Sequence, residues 1–195
     1  MIAESIDLRA IRVRITSGHL RNRQFEVPHS EVRPTMEAVR EALFSSLGGQ
    51  CNGLRVLDLY AGSGALGLEA WSRGAASVTF VEKHSKVMKQ IEQNVEQLRL
   101  PELGTAQVYC ADAVRWVREV KISFDLILVD PPYDCTEAFE ETLSAIESAS
   151  ALTADGFVVY EMRSTQEWSL PLGWSVKRDK RYGKTRVLIL NQEQR

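Results

Sequence analysis

The stretch Val56-Leu57-Asp58-Leu59-Tyr60-Ala61-Gly62-Ser63-Gly64-Ala65-Leu66-Gly67 decides the fold, because an apolar run leads directly into a G-x-G-x-x-G motif. Glycines at these positions permit a tight turn and let a ligand approach backbone N–H groups at the positive end of a helix. The stretch therefore predicts a strand, a ligand-binding loop and the start of a helix. A loop of this kind suits either a dinucleotide or an adenosyl amino acid, so the motif by itself leaves the ligand open.

Short β-branched runs alternate with helical stretches over the middle of the chain. The run Leu126-Ile127-Leu128-Val129 has no polar alternation, as expected for a strand that is covered on both faces. Strand and helix alternation of this kind predicts a doubly wound parallel sheet. The predicted strands are 56–60, 78–82, 106–110, 126–129 and 157–160, and the predicted helices are 65–73, 84–98, 112–119 and 136–149.

The last part of the chain follows a different pattern. Residues 174–177 and 186–190 are predicted as two strands, and the basic, glycine-containing connection between them is too short for a crossover helix. These strands must therefore pair antiparallel. The predicted fold class is α/β, a doubly wound Rossmann-like fold whose seven-stranded sheet is mostly parallel and has an antiparallel last strand.

A small N-terminal β-hairpin is predicted ahead of this domain. Residues 11–27 alternate apolar and charged side chains in places, and Ser17-Gly18-His19 supplies a turn signal. Arg33-Pro34-Thr35 then leads into a helix, with Thr35 as its N-cap and Gly48-Gly49 as its stop. We expect a hairpin extension over residues 1–32, the main domain over 33–191 and a frayed tail over 192–195.

The composition indicates one soluble globular domain. The chain has 195 residues, a hydrophobic fraction of 44%, a charged fraction of 26% and a formal net charge of −2, which are ordinary values for such a domain. Its three cysteines and three histidines lack the spacing of metal ligands, so no metal site is expected. The N-terminus lacks the apolar region of a signal peptide, and no stretch approaches the roughly 18 apolar residues of a membrane span. We expect a cytoplasmic protein without a membrane partner.

Basic side chains are concentrated near the two ends of the chain. Residues 9–25 carry five arginines and no acid, and residues 177–186 carry six basic residues and one acid. Local patches decide whether phosphates are attracted, so this pattern suits nucleic acid. It suits two solvated strands equally well, and charge alone does not separate these interpretations. The candidate phosphate-binding residues are Arg12, Arg21, Arg23, Lys180 and Arg181.

Two acids near the glycine motif bear on the identity of the ligand. Glu82 closes the next predicted strand, 20 residues beyond Gly62, where an acid can accept both hydroxyls of a ribose. That spacing suits a dinucleotide and an adenosyl amino acid alike. Asp58 lies inside the strand before the glycines, where it can orient loop amides and, indirectly, the ammonium group of a ligand. A pyrophosphate would be repelled by Asp58, so this residue favours S-adenosylmethionine.

A third acid follows the third predicted strand. Asp112 can accept a hydrogen bond from the adenine amine while the Ala113 N–H donates to the ring. The commoner use of such an aspartate is to cap a helix, and the cofactor interpretation is preferred because Glu82 and the glycines accompany it. The cofactor-binding residues predicted from these patterns are Asp58, Ala61, Gly62, Gly64, Glu82, Asp112, Ala113 and Asp130.

The fourth strand ends in Asp130-Pro131-Pro132-Tyr133, which we predict to be the reaction centre. Two prolines could simply stop a strand, but that role leaves the flanking Asp and Tyr unexplained. The exocyclic amine of guanine or adenine is a poor nucleophile, because its lone pair is delocalised into the ring. Asp130 and the Pro131 carbonyl can each accept one N–H, which favours a pyramidal nitrogen whose lone pair faces the methyl donor. Pro132 adds no competing donor, and Tyr133 offers a face for stacking.

Topology is expected to bring the two loops together. In a doubly wound sheet the first and fourth strands are neighbours at the switch point, and both loops leave the same carboxyl edge. Methyl donor and base would meet there, held in line for a direct displacement that depends mainly on positioning. The predicted activity is methylation of a planar amine on a nucleobase.

The sequence resembles the bacterial 16S ribosomal RNA guanine-N2 methyltransferases of the RsmD type over nearly its whole length. Tyr60 stands where that family often has Phe, and Asn22 replaces a usual Gly in the hairpin. Thr16-Ser17 also replaces a usual pair of small residues. The resemblance rests on Arg14-Ile15, Gly18, Arg21-Asn22-Arg23, Arg33-Pro34-Thr35, Val39-Arg40-Glu41-Ala42-Leu43-Phe44, Leu57-Asp58-Leu59-Tyr60-Ala61-Gly62-Ser63-Gly64, Glu69-Ala70, Arg73-Gly74-Ala75 and Asp130-Pro131-Pro132-Tyr133.

The resemblance implies an S-adenosylmethionine-dependent methyltransferase fold over residues 33–191 and methylation of one guanine N2 in 16S ribosomal RNA. It also implies an assembled or partly assembled 30S particle as the partner, and Arg33 and Thr35 lying over the cofactor. A monomer is expected.

Two other functions stay open at this point. A DNA adenine-N6 methyltransferase would use a similar tetrad, but it normally carries an additional target-recognition domain for which this chain has no segment. An NAD-binding Rossmann protein is compatible with the glycines and Glu82 taken alone. The tetrad itself does not separate guanine N2 from adenine N6.

Overall fold

The computed structural model describes residues 11–27, 37–132 and 137–193. A two-stranded hairpin precedes an α/β domain that is built on one seven-stranded sheet. The strands are β1 (Ile11–Arg14), β2 (Gln24–Val27), β3 (Arg55–Leu59), β4 (Ser77–Glu82), β5 (Thr105–Cys110), β6 (Phe124–Val129), β7 (Leu152–Arg163), β8 (Trp174–Tyr182) and β9 (Thr185–Gln192). The helices are α1 (Glu37–Ser46), α2 (Ala65–Ser72), α3 (Ser85–Leu98), α4 (Ala113–Glu119) and α5 (Ala138–Ser148).

The large sheet has the strand order β5-β4-β3-β6-β7-β9-β8. The pairs β3–β4, β3–β6, β4–β5 and β6–β7 are parallel, whereas β9 runs antiparallel to both of its neighbours, β7 and β8. The predicted doubly wound, mostly parallel sheet with an antiparallel last strand is therefore confirmed. The predicted N-terminal hairpin is also confirmed, since β1 and β2 pair antiparallel from Ile11 opposite Val27 to Arg14 opposite Gln24.

The sequence prediction was wrong about the basic residues that follow Lys177. They were assigned to a connection, but they lie within β8, which extends to Tyr182. These residues pair with β9, and a local sequence pattern does not specify that partner. The register of β8 against β9 shifts between Val176 and Arg178. β8 is an edge strand, and charged side chains with irregular pairing are typical of edges that avoid pairing with another chain. The ladder also extends to Gln192, the first residue of the predicted frayed tail.

The helices agree with the predicted ranges to within about two residues, which is the usual uncertainty at helix ends. α1 is described from Glu37, and its predicted N-cap, Thr35, lies outside the described residues. Gly48 and Gly49 follow this helix with φ angles of 92° and 82°, the left-handed conformation that commonly ends a helix.

The two faces of the sheet carry separate cores. The hairpin, α1, α2 and α3 pack on one face, together with inward residues such as Val56, Leu128 and Ile189. α4 and α5 cover the other face, around residues such as Ile127 and Leu188. Buried apolar area drives this arrangement, and each fully buried aliphatic side chain contributes about 1.5–3 kcal/mol relative to exposure.

One buried carboxylate joins the hairpin to the domain. Glu69 of α2 is fully buried, and its oxygens accept the backbone N–H groups of Thr16 at 3.0 Å and Ser17 at 3.1 Å. Its charge is balanced by the guanidinium groups of Arg73, 2.9 Å away, and Arg40 of α1, 3.7 Å away. A buried charge is tolerated only with such partners, so Glu69 holds the hairpin, α1 and α2 in one arrangement.

The hairpin turn lies directly on the end of α2. Gly18 has a φ of 81°, and a Cβ added there would lie 1.8 Å from the carbonyl oxygen of Ser72. That oxygen accepts the His19 N–H at 2.7 Å, and the Ser72 hydroxyl accepts the Leu20 N–H at 2.9 Å. Only glycine permits this close approach.

We expect Gly18→Ala to displace the hairpin from α2, whereas Gly183→Ala is a matched control. Gly183 also has a positive φ, 61°, but nothing lies within 4 Å of its added Cβ. Both variants carry the cost of left-handed backbone, about 1–2 kcal/mol. Only Gly18→Ala adds a clash with backbone. Denaturant unfolding is therefore expected to show a larger loss of unfolding free energy for Gly18→Ala than for Gly183→Ala, and proteolysis is expected to cleave its hairpin faster. Equal losses in the two variants would contradict this account of the docking.

Candidate functional site

The polar residues predicted for the site lie at one edge of the sheet. In the β3–β4 and β3–β6 registers, Leu59 is opposite Val81 and Val129, so the loops after these three strands leave side by side. Glu82, the last residue of β4, is opposite Cys110, the last residue of β5. The structure thus brings together the chain segments that carry Asp58, Glu82, Asp112 and Asp130, at the carboxyl edge where ligands of doubly wound sheets bind.

The glycine loop is tightly turned and tied to β4. Tyr60, Gly62 and Gly64 all have positive φ angles, of 58°, 51° and 75°. The Gly62 N–H donates to the Glu82 carboxylate at 2.9 Å, and the Ala61 N–H donates to the Val81 carbonyl at 3.0 Å. These contacts fix the path of the loop before any ligand is bound.

Asp58 holds the first turn of α2, as its position in the sequence predicted. Its side chain is buried and accepts the Gly67 N–H at 2.8 Å. Gly67 is required for packing, because an added Cβ would lie 2.3 Å from the Phe80 ring and 2.8 Å from the Asp58 carboxylate. The third glycine of the motif therefore allows α2 to lie close against β3 and β4.

Three acidic side chains lie near one another at the carboxyl edge. Burial raises the pKa of Asp58 well above its ordinary value, the Gly67 N–H opposes that rise, and the carboxylates of Asp130 and Glu82 add to it. Three acids are thus close enough to influence one another in a region of low dielectric constant. The raised pKa favours the neutral form of Asp58, and a positive charge close by would favour the ionised form.

Glu82 and Asp112 both form hydrogen bonds within the protein. Glu82 is buried, and besides Gly62 it accepts the His84 N–H at 2.8 Å. Asp112 is exposed and caps α4 by accepting the Arg115 N–H at 3.0 Å. The capping role that the sequence left open for Asp112 is therefore present, with Ala113 as the first residue of the helix. Contact of these residues with a cofactor stays a prediction.

The predicted reaction centre follows β6. Asp130 is partly buried, Pro131 is buried and Pro132 is exposed. Tyr133 lies outside the described residues, as do Arg33 and Thr35, which were predicted to lie over the cofactor.

Sequence reasoning missed a cluster of aromatic residues beside the end of β6. Tyr160 is opposite Val129, the last residue of β6, and its ring packs edge to face on Phe139 of α5 at a centroid distance of 4.8 Å. Phe139 also contacts Trp168 at 5.5 Å. No local pattern relates these positions, because they come from β7, α5 and the segment before β8.

A further missed contact connects the glycine loop to α5. The Tyr60 hydroxyl lies 3.0 Å from the Thr142 hydroxyl, and Thr142 is fully buried. Tyr60 directly precedes the glycine loop, and α5 is the helix that follows the Asp130 loop along the chain. This hydrogen bond therefore connects the segment before the glycine loop to the helix after the Asp130 loop. A Phe at position 60 would lack it.

The predicted phosphate-binding residues are exposed, but they form two separate groups. Arg12, Arg21 and Arg23 lie on the hairpin, which contacts α3, whereas Lys180 and Arg181 lie on the edge strand β8. α3 packs against β4 and β5. Five strand spacings separate β4 from β8 in the sheet order, which corresponds to about 24 Å. The fold therefore presents two basic surfaces on either side of the site.

In the part of the chain that the structure describes, no cluster of three or more His, Cys, Asp or Glu side chains is arranged to hold a metal ion. None of the described helices has the length and apolarity needed to cross a membrane.

The chain is similar to known proteins over most of its length. Ribosomal RNA small subunit methyltransferase D of Escherichia coli strain K12 is 34% identical over 185 residues, which cover 93% of this chain and 91% of that protein. The solved structure of the yhhF protein of Escherichia coli has a TM-score of 0.82 and 31% identity, and the match covers 95% of this chain and all of that one, 100%.

A more distant relative methylates a different kind of amine, according to its name. The tRNA1(Val) (adenine(37)-N6)-methyltransferase of Escherichia coli O157:H7 strain EC4115 is 29% identical over 178 residues, covering 80% of this chain and 71% of that protein. The family model described as conserved hypothetical protein 95 matches residues 13–191. That match and the 34% identity to the small subunit methyltransferase show that the chain belongs to the conserved hypothetical protein 95 family, the RsmD-type family that its motifs indicate.

Proposed function

We propose that the chain transfers a methyl group from S-adenosylmethionine to the exocyclic N2 amine of one guanine in 16S ribosomal RNA. The observation that carries the proposal is the meeting of the glycine loop, three interacting carboxylates and Asp130-Pro131-Pro132 at one sheet edge. Membership of the family and the name of its Escherichia coli relative support ribosomal RNA of the small subunit as the substrate.

The residues at this edge fit S-adenosylmethionine. This cofactor supplies an electrophilic methyl group on a positively charged sulfonium, and it also carries an ammonium group. Burial, and after it the acids Asp130 and Glu82, raise the pKa of Asp58. A cationic ligand would relieve the repulsion among these acids, whereas the pyrophosphate of NAD would add to it. Ala61, Gly62 and Gly64 would form the cradle, with Arg33 and Thr35 over it.

Glu82 and Asp112 would hold the adenosine. An ionised carboxylate offers about four acceptor sites, and Glu82 uses two of them for the Gly62 and His84 amides. The remaining sites suit the two ribose hydroxyls. Asp112 caps α4 through one oxygen, which leaves the other for the adenine amine, while the Ala113 N–H donates to the ring.

Asp130 and Pro131 would prepare the amine for reaction. The Asp130 carboxylate and the Pro131 carbonyl each accept one N–H, so that the nitrogen lone pair is directed away from the base ring. Pro132 is exposed and has no N–H of its own, and Tyr133 would stack on the base. The guanine must be exposed or flipped out of its helix to reach this loop.

The RNA would be positioned by the two basic surfaces. Arg12, Arg21 and Arg23 on the hairpin and Lys180 and Arg181 on β8 would contact phosphates, which fix position without reading sequence. We propose an assembled or partly assembled 30S particle as the substrate and a monomer as the active form. Adenine N6 of a nucleic acid is the second candidate target, favoured by the similarity to the tRNA adenine-N6 enzyme.

The target is tested by mass spectrometry of ribosomal RNA from a strain that lacks the protein. We expect one N2-methylguanine to disappear from 16S ribosomal RNA and to return when the wild-type chain is supplied. An unchanged guanine profile accompanied by loss of an N6-methyladenine would support the second candidate and exclude the first.

Asp130→Ala is expected to lower kcat by about 10²–10⁴-fold, the usual contribution of a group that handles a proton of the reacting atom. Its partner is the base amine, so affinity for S-adenosylhomocysteine, measured by calorimetry, should change little. Asp155→Ala removes an exposed acid from β7 and serves as the control with unchanged kcat. A parallel loss of cofactor affinity in Asp130→Ala would show that Asp130 acts as a cofactor ligand instead.

Calorimetry with S-adenosylhomocysteine and with NAD tests the cofactor. The first should bind and the second should not, because the ammonium group of S-adenosylhomocysteine would relieve the repulsion among Asp58, Glu82 and Asp130, whereas a pyrophosphate would add to it. Glu82→Gln should weaken S-adenosylhomocysteine binding at least about tenfold, since hydrogen bonds to charged groups contribute about 1.5–3 kcal/mol. Tight NAD binding without S-adenosylhomocysteine binding would refute the methyltransferase proposal.

A further inference from the structure

α3 runs from the proposed cofactor edge to the hairpin. It begins at Ser85, three residues after Glu82, and ends at Leu98, which corresponds to a length of about 21 Å. The hairpin is fastened to its second half, where the fully buried Asn94 accepts the Glu26 N–H at 3.2 Å and donates to the Glu26 carbonyl at 2.8 Å. Arg23 adds a hydrogen bond to the Gln97 carbonyl at 3.2 Å.

The segment from Lys83 to Ile91 is locally basic, and the next acid along α3 is the exposed Glu92. Residues 83–91 contain three lysines and no acid, and all three lysines are exposed. Lys86 and Lys89 are one turn apart, on the side of the helix away from its buried residues Val87 and Ile91. Within the described ranges, none of the three lysines forms an ion pair.

Exposed lysines on a helix are often no more than a solvated face. The rest of α3 shows the usual pattern, since Arg99 pairs with Glu96 at 3.5 Å just beyond its end. On the hairpin, Arg12 is likewise paired with Glu26 at 3.7 Å. The three lysines differ because they are unpaired and because they occupy the stretch between the hairpin arginines and the reacting edge.

We propose that Lys83, Lys86 and Lys89 form a second set of phosphate contacts between the hairpin arginines Arg21 and Arg23 and the site, so that the RNA backbone follows α3 from the hairpin to the carboxyl edge. The inference rests on the proposed function and extends it, because none of these lysines was assigned a role. An RNA held only by the hairpin would have to cross about 20 Å of helix before its base reached the carboxyl edge. Phosphates bound along α3 would guide the strand over that distance without specifying its sequence.

The experiment compares Lys86→Gln/Lys89→Gln with Lys121→Gln. Lys121 is exposed and lies between α4 and β6, away from α3 and the hairpin, so its substitution controls for loss of charge alone. Binding of 30S subunits from a strain lacking the protein is measured over a series of salt concentrations, and methylation of the same subunits is measured separately.

The double variant should bind at least about fivefold more weakly at low salt, and its slope of log affinity against log salt should fall by about 0.7–0.9 for each lost phosphate contact. Its kcat, melting temperature and S-adenosylhomocysteine affinity should match the wild type, because both side chains are exposed. Lys121→Gln should leave binding and slope unchanged.

An unchanged affinity and slope in the double variant would overturn the inference, as would an equal loss in Lys121→Gln, which would indicate a general effect of charge. Either result leaves the proposed methylation intact. Wild-type protein that binds the subunits but methylates no guanine would refute the proposed function, while the slopes would still decide the role of α3. Wild-type binding that does not depend on salt would overturn the inference, and the methylation measurement would still decide the proposed function.

Discussion

The buried carboxylate of Glu69 is the contact on which the arrangement of the N-terminal part depends. It accepts backbone N–H groups from the hairpin and is neutralised by guanidinium groups from α1 and from its own helix. Removing one partner of a buried ion pair typically costs about 3–5 kcal/mol, because the remaining charges lose their compensation. α2 begins at the glycine loop, so the same short helix fixes both the loop and the hairpin, and the position of one is tied to the position of the other.

At the carboxyl edge, in contrast, acidic side chains lie close together at a cost in stability. Burial raises the pKa of Asp58, and the nearby acids Asp130 and Glu82 raise it further, so the ionised form of Asp58 is disfavoured in the folded state. Backbone N–H groups of Gly62, Gly67 and His84 offset part of this cost by donating to two of the acids. Sites that concentrate like charges are often functional, which agrees with the proposal of a cationic cofactor at this edge.

The choice between guanine N2 and adenine N6 is not made by the tetrad. Both amines are planar, and the same pair of acceptors would prepare either one. Discrimination needs groups that read the rest of the base edge or that position the RNA, since contacts to phosphates carry no sequence information. The two basic surfaces that we propose for RNA binding lie on the hairpin and on β8, so in this proposal the substrate is positioned by residues outside the loops that carry the reaction.

The sequence by itself determined the parallel centre of the sheet, the glycine loop, the helices and the hairpin, because each of these has a periodic or turn-forming pattern within a short stretch. It also predicted that Asp58 orients amides near the glycines, and Asp58 accepts the Gly67 N–H. For Asp112 it left two roles open, and one of them, the helix cap, is present. Only the tertiary structure decided that the basic residues of β8 form an edge strand, that Glu69 reaches Thr16 across 53 residues of chain, and that Tyr160 of β7 packs on Phe139 of α5. These contacts join residues that are far apart in the chain. A local sequence pattern shows whether a residue is polar, apolar or aromatic, but it does not show which distant residue will pack against it.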